Sequence, residues 1–316
     1  MEPRAEGCSR HPARGVLGVN LTNSLNLPRP FVSAAESDYK YTPKRYSVTT
    51  ILKGTREAIL QRRHDGEITQ DVADMVWAIF GSAVHQILQN AEETETQLKE
   101  NYIVVDMPNG YQLSGIFDLY DDATGTVTDY KTASAWKAVF GAKDDEELAD
   151  WRKQTLIYCW MLRQIGFDAH RGEIVALLKD HKKSDAKNKA DYPKHPVWRV
   201  GWDFTDEEIR QCGEWLVKRF EEIEAAEQLP DDQLPMCTEK ERWHRADKWA
   251  VMKEGRKTAI RLYDSKREAN ARMKKESENG KGKFYVEHRP GEDPKCMDYC
   301  SACHFCDHYK QLTGEE

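Results

Sequence analysis

The stretch Gly115-Ile116-Phe117-Asp118-Leu119-Tyr120, the turn Asp121-Asp122-Ala123-Thr124-Gly125 and the run Thr126-Val127-Thr128-Asp129-Tyr130-Lys131-Thr132 decide how this chain is read. Two apolar, β-rich runs around an Asp/Thr/Gly turn predict a β-hairpin. Closing the turn symmetrically between Ala123 and Thr124 sets Asp118 directly opposite Asp129. Side chains alternate faces along a strand, so Lys131 shares the face of Asp129. Facing residues have Cβ atoms roughly 5 Å apart. Two carboxylates at that spacing repel unless a cation lies between them, which predicts a divalent-metal site with a lysine beside it. A register slip of one residue would put the aspartates on opposite faces. A solvent-facing hairpin with scattered charges is the plain alternative, and the hairpin alone does not choose between the two.

Upstream, Tyr102–Met107 reads as a strand that enters the hairpin through Pro108-Asn109-Gly110, giving a three-stranded antiparallel meander. Asp71 to about Leu98 reads as one long helix, with Val72, Met75, Val76, Ile79, Val84, Ile87 and Leu88 at helical spacing. Ala78, Gly81 and His85 fall on one stripe, where small residues would let the helix approach the sheet and His85 reach the carboxylates. A lone histidine on such a stripe is more often half-buried structure, although imidazole is a good ligand for Mn²⁺ and related ions. Ser47 or Thr49 caps a short basic helix over Ile51–Arg63. Residues 1–44 read as a flexible leader, broken by Gly7, Pro12, Gly15, Gly18, Pro28 and Pro30, with no secretory signal.

Downstream, Trp151–Ile165 reads as a second long helix that puts Gln154 and Tyr158 on one face at i and i+4. Gly172–Lys179 and Val197–Trp202 read as neighbouring strands. The loop between them holds Lys179, His181, Lys182, Lys183, Lys187, Lys189, Lys194 and His195, a basic surface or a solvated loop. Thr205 or Asp206 caps an amphipathic helix to Glu227. Leu229–Pro235 reads as a linker, so a core domain at 45–235 precedes a small module at 236–316. Within that module, Trp249–Lys253, Thr258–Tyr263 and Lys283–His288 read as strands. Ser265 caps a helix to about Lys275.

The 316 residues carry a net charge of -7, so contact with nucleic acid needs a local basic surface. No run of about 18 apolar residues predicts a membrane span. Of eight cysteines, Cys296, Cys300, Cys303 and Cys306 crowd near the end, with Cys237 ahead of them. Such crowding points to a metal or cluster and not to a disulfide framework.

The order of these features is a helix with His85, strands with Gly115-x-x-Asp118 and Asp129-x-Lys131, and a helix with Gln154-x-x-x-Tyr158. It resembles the PD-(D/E)XK nuclease superfamily in its RecB-like branch, and most of all phage-type and CRISPR-associated exonucleases. The likeness covers roughly residues 45–235, and no Pro precedes Asp118. It implies an α/β, restriction-endonuclease-like core, a central mixed sheet flanked by helices, followed by the small cysteine-rich module. It implies Asp118, Asp129, the Tyr130 carbonyl and His85 as ligands of Mg²⁺ or Mn²⁺. Lys131 would position the attacking water and stabilise transition-state charge, supported by Gln154 and Tyr158. Cys237, Cys296, Cys300 and Cys306 would hold a [4Fe-4S] cluster, leaving Cys303 spare. Zn²⁺ is the alternative occupant, and the fourth ligand stays open because related nucleases draw it from the N-terminal region.

The function so implied is metal-dependent DNA hydrolysis, as an exonuclease in recombination, repair or phage DNA processing. The substrate would be single-stranded DNA or DNA with free ends, in the cytoplasm of a bacterial or phage-infected cell. Self-assembly or a recombination or helicase partner is compatible with it. The competing expectations are a non-catalytic DNA-binding or scaffolding protein that keeps the fold, and a zinc-tail protein in which the hairpin is incidental.

Overall fold

A computed structural model of the protein describes residues 19–36 and 41–315. In chain order the elements are β1 (Asn20–Thr22), α1 (Arg29–Ala35), β2 (Arg45–Ser47), α2 (Val48–Ile51), α3 (Thr55–Arg63), β3 (Thr69–Asp71), α4 (Val76–Gln89), β4 (Gln97–Asp106), β5 (Gln112–Asp121) and β6 (Thr126–Ala133). Then come α5 (Ala135–Gly141), α6 (Ala149–Gln164), β7 (Arg171–Leu178), α7 (Lys183–Asn188), β8 (Val197–Asp203) and α8 (Asp206–Glu227). After these follow β9 (Lys248–Lys253), β10 (Arg261–Tyr263), α9 (Lys266–Asn279), β11 (Phe284–Arg289) and α10 (Asp307–Thr313). The chain divides into two compact units, Met1–Pro230 and Asp231–Glu316, a boundary inside the stretch read as a linker.

The first unit is built on a six-stranded mixed sheet in the order β2-β5-β6-β7-β8, with β4 along the other side of β5. The hairpin forms in the expected register, with Leu119 facing Thr128, Tyr120 facing Val127 and Asp121 facing Thr126. The backbone pairing stops there, one step before the aspartates. β6 runs on beside β7 in parallel along its whole length, while β5 meets β2 only at residues 112–114. The edge of β5 from Gly115 to Asp118 therefore has no strand beside it, and the sheet forks at this point.

The main core gathers β5, α6 and α8. Tyr46, Leu113, Phe117 and Tyr120 pack there with Ile157 and Leu162 of α6 and Leu216 and Phe220 of α8, all buried. A second cluster, with Ala133, Ile174, Ala176 and Leu178, lies beneath α5 and Tyr192. Thr205 begins α8 with a full capping box, donating and accepting with Glu208, so two orphan helix-end donors are satisfied.

Three sequence expectations change. The helix over 71–98 is in fact a 3₁₀ turn at Val72–Met75 and then α4, which ends at Gln89. Glu92, Glu93 and Glu95 would lie against the negative end of the helix dipole, and Leu98 is taken by β4 opposite Tyr120. The helix over 51–63 is split by Gly54, which caps α3. Regular elements also begin earlier than the leader reading allows. β1 pairs with β3 in parallel, and the Asp71 carboxylate accepts from Thr22 Oγ1 (2.8 Å), Ser24 N (2.8 Å) and Ala73 N (2.9 Å). Pro30 sits in the first turn of α1, where its missing N–H costs nothing. Residues 1–18, with Cys8, lie outside the described residues. Among the described residues, no helix is long and apolar enough to cross a membrane.

The second unit has a three-stranded antiparallel sheet, β10-β9-β11, with α9 packed on it; Ala250, Val251 and Met252 of β9 and Ala269 of α9 are buried. Ser265 caps α9 through the Glu268 amide (3.3 Å). Tight turns over Lys295–Phe305 lead into α10.

Candidate active site

The fork in the sheet builds the site. Continued by one step, the β5–β6 register faces Asp118 with Asp129, and both side chains are buried. The Tyr130 amide, which has no β5 carbonyl to reach, donates to Asp118 Oδ2 at 2.7 Å. Lys131 Nζ lies 2.6 Å from Asp129 Oδ2. Gln154 on α6 spans the pair: its amide NH₂ donates to Asp129 Oδ1 at 2.8 Å, and its carbonyl accepts from Lys131 Nζ at 3.0 Å. That double bond fixes the amide's orientation and holds the lysine over the carboxylate.

Tyr158 does different work. Its hydroxyl donates to the Ile116 carbonyl at 2.9 Å, satisfying an acceptor on the unpaired edge of β5. Its ring lies so close over the strand that a Cβ on Gly115 would come 2.7 Å from Cε1. The glycine of Gly115-x-x-Asp118 is thus required by the tyrosine above it. On α4, His85 Nδ1 is 3.4 Å from Asp118 Oδ2. α4 does pass close over β6 at Thr132, but an added Cβ at Gly81 would sit 3.7 Å from Thr132 Oγ1, an ordinary contact. Space there does not demand glycine.

One residue was missed in the sequence. Glu100 lies between Lys99, which faces Leu119, and Asn101, which faces Phe117, so it faces Asp118 on the other side of β5. It is buried, its carboxylate is 3.8 Å from His85 Nδ1, and its backbone is left-handed, with φ of 49°. A non-glycine residue in that region is strained by roughly 1–2 kcal/mol. The signal was available: carrying the β4 alternation upstream past Tyr102 puts an acid opposite Asp118.

Three buried carboxylates, Glu100, Asp118 and Asp129, therefore stand in one row across three strands. Burial pushes the Asp129 carboxyl above the usual carboxylate range; Lys131 pulls it back, and Asp118 pushes it further up. The ligand atoms of His85, Glu100 and Asp118 lie within 4.8 Å of one another. A hard divalent cation fits this donor set, mainly oxygen with one imidazole, and would offset the repulsion among the acids.

In the second unit, Cys237, Cys296, Cys300, Cys303 and Cys306 are each half-buried, and none forms a disulfide. Burial, with Asp293, Cys237 and Cys306 nearby, pushes the Cys296 thiol up to about 11. Cys303 is raised by burial, with Glu315 and Cys306 adding to it. The Asp293 carboxylate is buried and accepts from His244 Nδ1 (2.7 Å), His308 Nε2 (2.6 Å) and Arg242. Arg242 in turn donates to the Cys237 carbonyl at 3.1 Å. Asp293 so joins the Cys237 segment to α10, which starts directly after Cys306. Asp293, Cys296 and His308 also place ligand atoms within 4.8 Å of one another.

The model of the PD-(D/E)XK nuclease superfamily matches residues 91–307, more than half of the chain and all of the strands just described except β1, β2 and β3. The chain belongs to the PD-(D/E)XK nuclease superfamily. Its mixed sheet flanked by helices agrees with that membership. Among solved structures it is similar to SSO0001, at 15% identity and a TM-score of 0.40, over 61% of this chain and 81% of that one. It is similar to a phage-related exonuclease from Haemophilus somnus, at 14% identity and a TM-score of 0.26, over 41% and 62%. It is also similar to the alkaline exonuclease LHK-Exo from Laribacter hongkongensis, at 11% identity and a TM-score of 0.33, over 58% and 92%. None of the curated proteins matches.

Proposed function

We propose that this superfamily member is a Mg²⁺- or Mn²⁺-dependent DNA exonuclease that hydrolyses phosphodiester bonds in single strands or at free ends. The observation that supports it most is the pairing of Asp118 with Asp129 beside a lysine held in place by Gln154. His85, Asp118 and Asp129, with the Tyr130 carbonyl, would hold the cation, and Glu100 would add a further oxygen. When bound, the cation polarises the phosphoryl group and acidifies a water. Lys131 sits where it can orient that water and donate to the developing negative charge on phosphorus oxygens. Gln154 keeps Lys131 from wandering, and Tyr158 keeps Asp118 in position through the β5 backbone.

For the C-terminal unit the proposed cofactor is a [4Fe-4S] cluster on Cys237, Cys296, Cys300 and Cys306, with Zn²⁺ as the alternative. The gathering of Cys237 and Cys306 around Cys296 supports a thiolate site. Iron, sulfide and zinc content of the purified protein separates the two. Cysteines in this number without a disulfide suit the reducing cytoplasm of a bacterial or phage-infected cell, and a role in repair, recombination or phage DNA processing is proposed with the activity.

The test is cleavage of 5′- and 3′-labelled single- and double-stranded DNA with Mn²⁺, Mg²⁺ or EDTA, for the wild type and Lys131→Ala. Cation-dependent cleavage that drops at least 100-fold in Lys131→Ala is expected, and the two labels give the polarity. Full activity in Lys131→Ala would overturn the assignment. No cleavage by metal-replete wild type would leave a DNA-binding module.

A further inference from the structure

Four large aromatic side chains stand exposed on the two helices that flank the end of β6. Trp77 and Phe80 on α4 are 58% and 40% exposed, and Trp136 and Phe140 on α5 are 44% and 52% exposed. Their rings are grouped in pairs, Trp77 with Phe80 at 6.3 Å and Trp136 with Phe140 at 5.9 Å. Lysines lie on them: Lys179 Nζ is 4.0 Å from the Trp77 ring centre, and Lys189 Nζ is 5.1 Å from that of Trp136.

The loop that carries Lys179 links the two pairs. Lys179 donates its amide to the Ala133 carbonyl (2.9 Å), and Asp180 caps the start of α5 through Ser134 Oγ (2.7 Å) and Ala135 N (2.6 Å). Trp136 packs edge-on against Tyr192 at 6.1 Å. A cleft of about 240 Å³ opens here, lined by Trp136, Val139, Lys143, Lys189, Asp191 and Tyr192. The loop also has acids, but each is engaged within the protein: Asp180 on α5, Asp185 with Lys189 (3.0 Å) and Asp191 with Lys143 (2.6 Å). Lys182, Lys183, Lys187 and Lys194 leave the loop basic.

Exposed rings interleaved with lysines are the recognised means of holding an unpaired nucleic-acid strand: rings stack the bases and cations follow the backbone. Helix α4 connects Trp77 with the candidate active site. Trp77 and His85 lie on the same helix, about 12 Å apart along its axis, which spans three to four nucleotides at the 3.4 Å spacing of a stacked strand. Resting on the nuclease reading, we infer that Trp77 and Trp136, with Phe80, Phe140, Lys179 and Lys189, form a stacking platform for a single DNA strand entering or leaving the site. The basic loop of the sequence thereby gains a role that the carboxylates alone do not give it.

The experiment measures binding of a fluorescein-labelled thymidine hexamer by anisotropy in Mg²⁺, with Lys131→Ala as the parent so that substrate survives. Trp77→Ala and Trp136→Ala should each weaken binding about 5- to 150-fold, the range for losing one stacked base. Trp77→Phe should keep most of the affinity, which loss of a merely structural contact would not predict. Lys179→Ala should lower the slope of log Kd against log salt by about 0.7. Hexamer binding within twofold of the parent in Trp77→Ala/Trp136→Ala would overturn the platform, as would a parent that binds no hexamer. A parent that binds by these rules while the wild type cleaves nothing would keep the platform and remove the nuclease reading.

Discussion

Replacing Gly115 by alanine tests the architecture beneath the site. The added Cβ would lie 2.7 Å from Tyr158 Cε1, 3.0 Å from its hydroxyl oxygen and 3.0 Å from Val48 Cγ2. Carbon contacts settle at about 3.5–4.0 Å, so the ring must retreat by about 1 Å. Tyr158 is buried and tied to the Ile116 carbonyl, so retreat strains its packing and stretches that bond. Overpacking costs about 1–3 kcal/mol and a lost hydrogen bond about 1 kcal/mol, so Gly115→Ala should lose about 2–4 kcal/mol. Urea denaturation followed by circular dichroism reads this as a lower midpoint at unchanged slope. Tyr158→Ala is itself costly, but in its background the closest contact of the alanine is gone and Val48 Cγ2 at 3.0 Å remains, so the further loss should fall below about 1 kcal/mol. Losses that add within about 0.5 kcal/mol would refute the idea that the tyrosine dictates the glycine.

Glu100→Gln should weaken Mn²⁺ binding about 10- to 100-fold by titration calorimetry while leaving the fold intact, since the side chain acts at the donor cluster. Asp293→Asn should lower the stability of the C-terminal unit by about 3–5 kcal/mol, seen by thermal denaturation, because Arg242, His244 and His308 all lose a buried anion. The Asp71 carboxyl is lowered to about 2, chiefly by the Ala73 and Ser24 amides and Thr22. A depressed folded value means that its hold on β1 is complete above the unfolded value near 4 and disappears as the pH falls through about 2. Hydrogen exchange at the Asn20 amide, bonded to the Ile68 carbonyl, should accelerate over that window relative to β7 amides; constant relative protection would contradict the role.

The hairpin was legible because strand alternation and one symmetric turn fix a register, and that register carries the Asp118–Asp129 pairing. The Thr205 cap and the strands of the C-terminal unit were legible for the same local reasons. Glu100 was not, because a left-handed backbone in mid-strand normally signals Asn or Gly, and β4 begins at Gln97, five residues before the Tyr102 start that the sequence suggests. The i, i+4 spacing of Gln154 and Tyr158 gave a common helix face but not a common partner. One helical turn separates them along α6, enough for one to reach Lys131 and the other the β5 backbone. β1 escaped because its partner lies 49 residues away, at Asp71, and nothing local announces it. Asp293 escaped because its value lies in three partners distant in sequence, Arg242, His244 and His308, and not in its neighbours in the chain.

The fork between β5 and β6 leaves the Tyr130 N–H bonded to a side-chain oxygen instead of a main-chain carbonyl. Its proton therefore senses the electron density on Asp118 Oδ2 directly. In a ¹⁵N-labelled sample this single backbone resonance becomes a spectroscopic gauge of the site, shifting when a cation draws charge from the carboxylate. The strand that carries the lysine thus reports the state of the acid across from it without a substrate, a dye or a mutation.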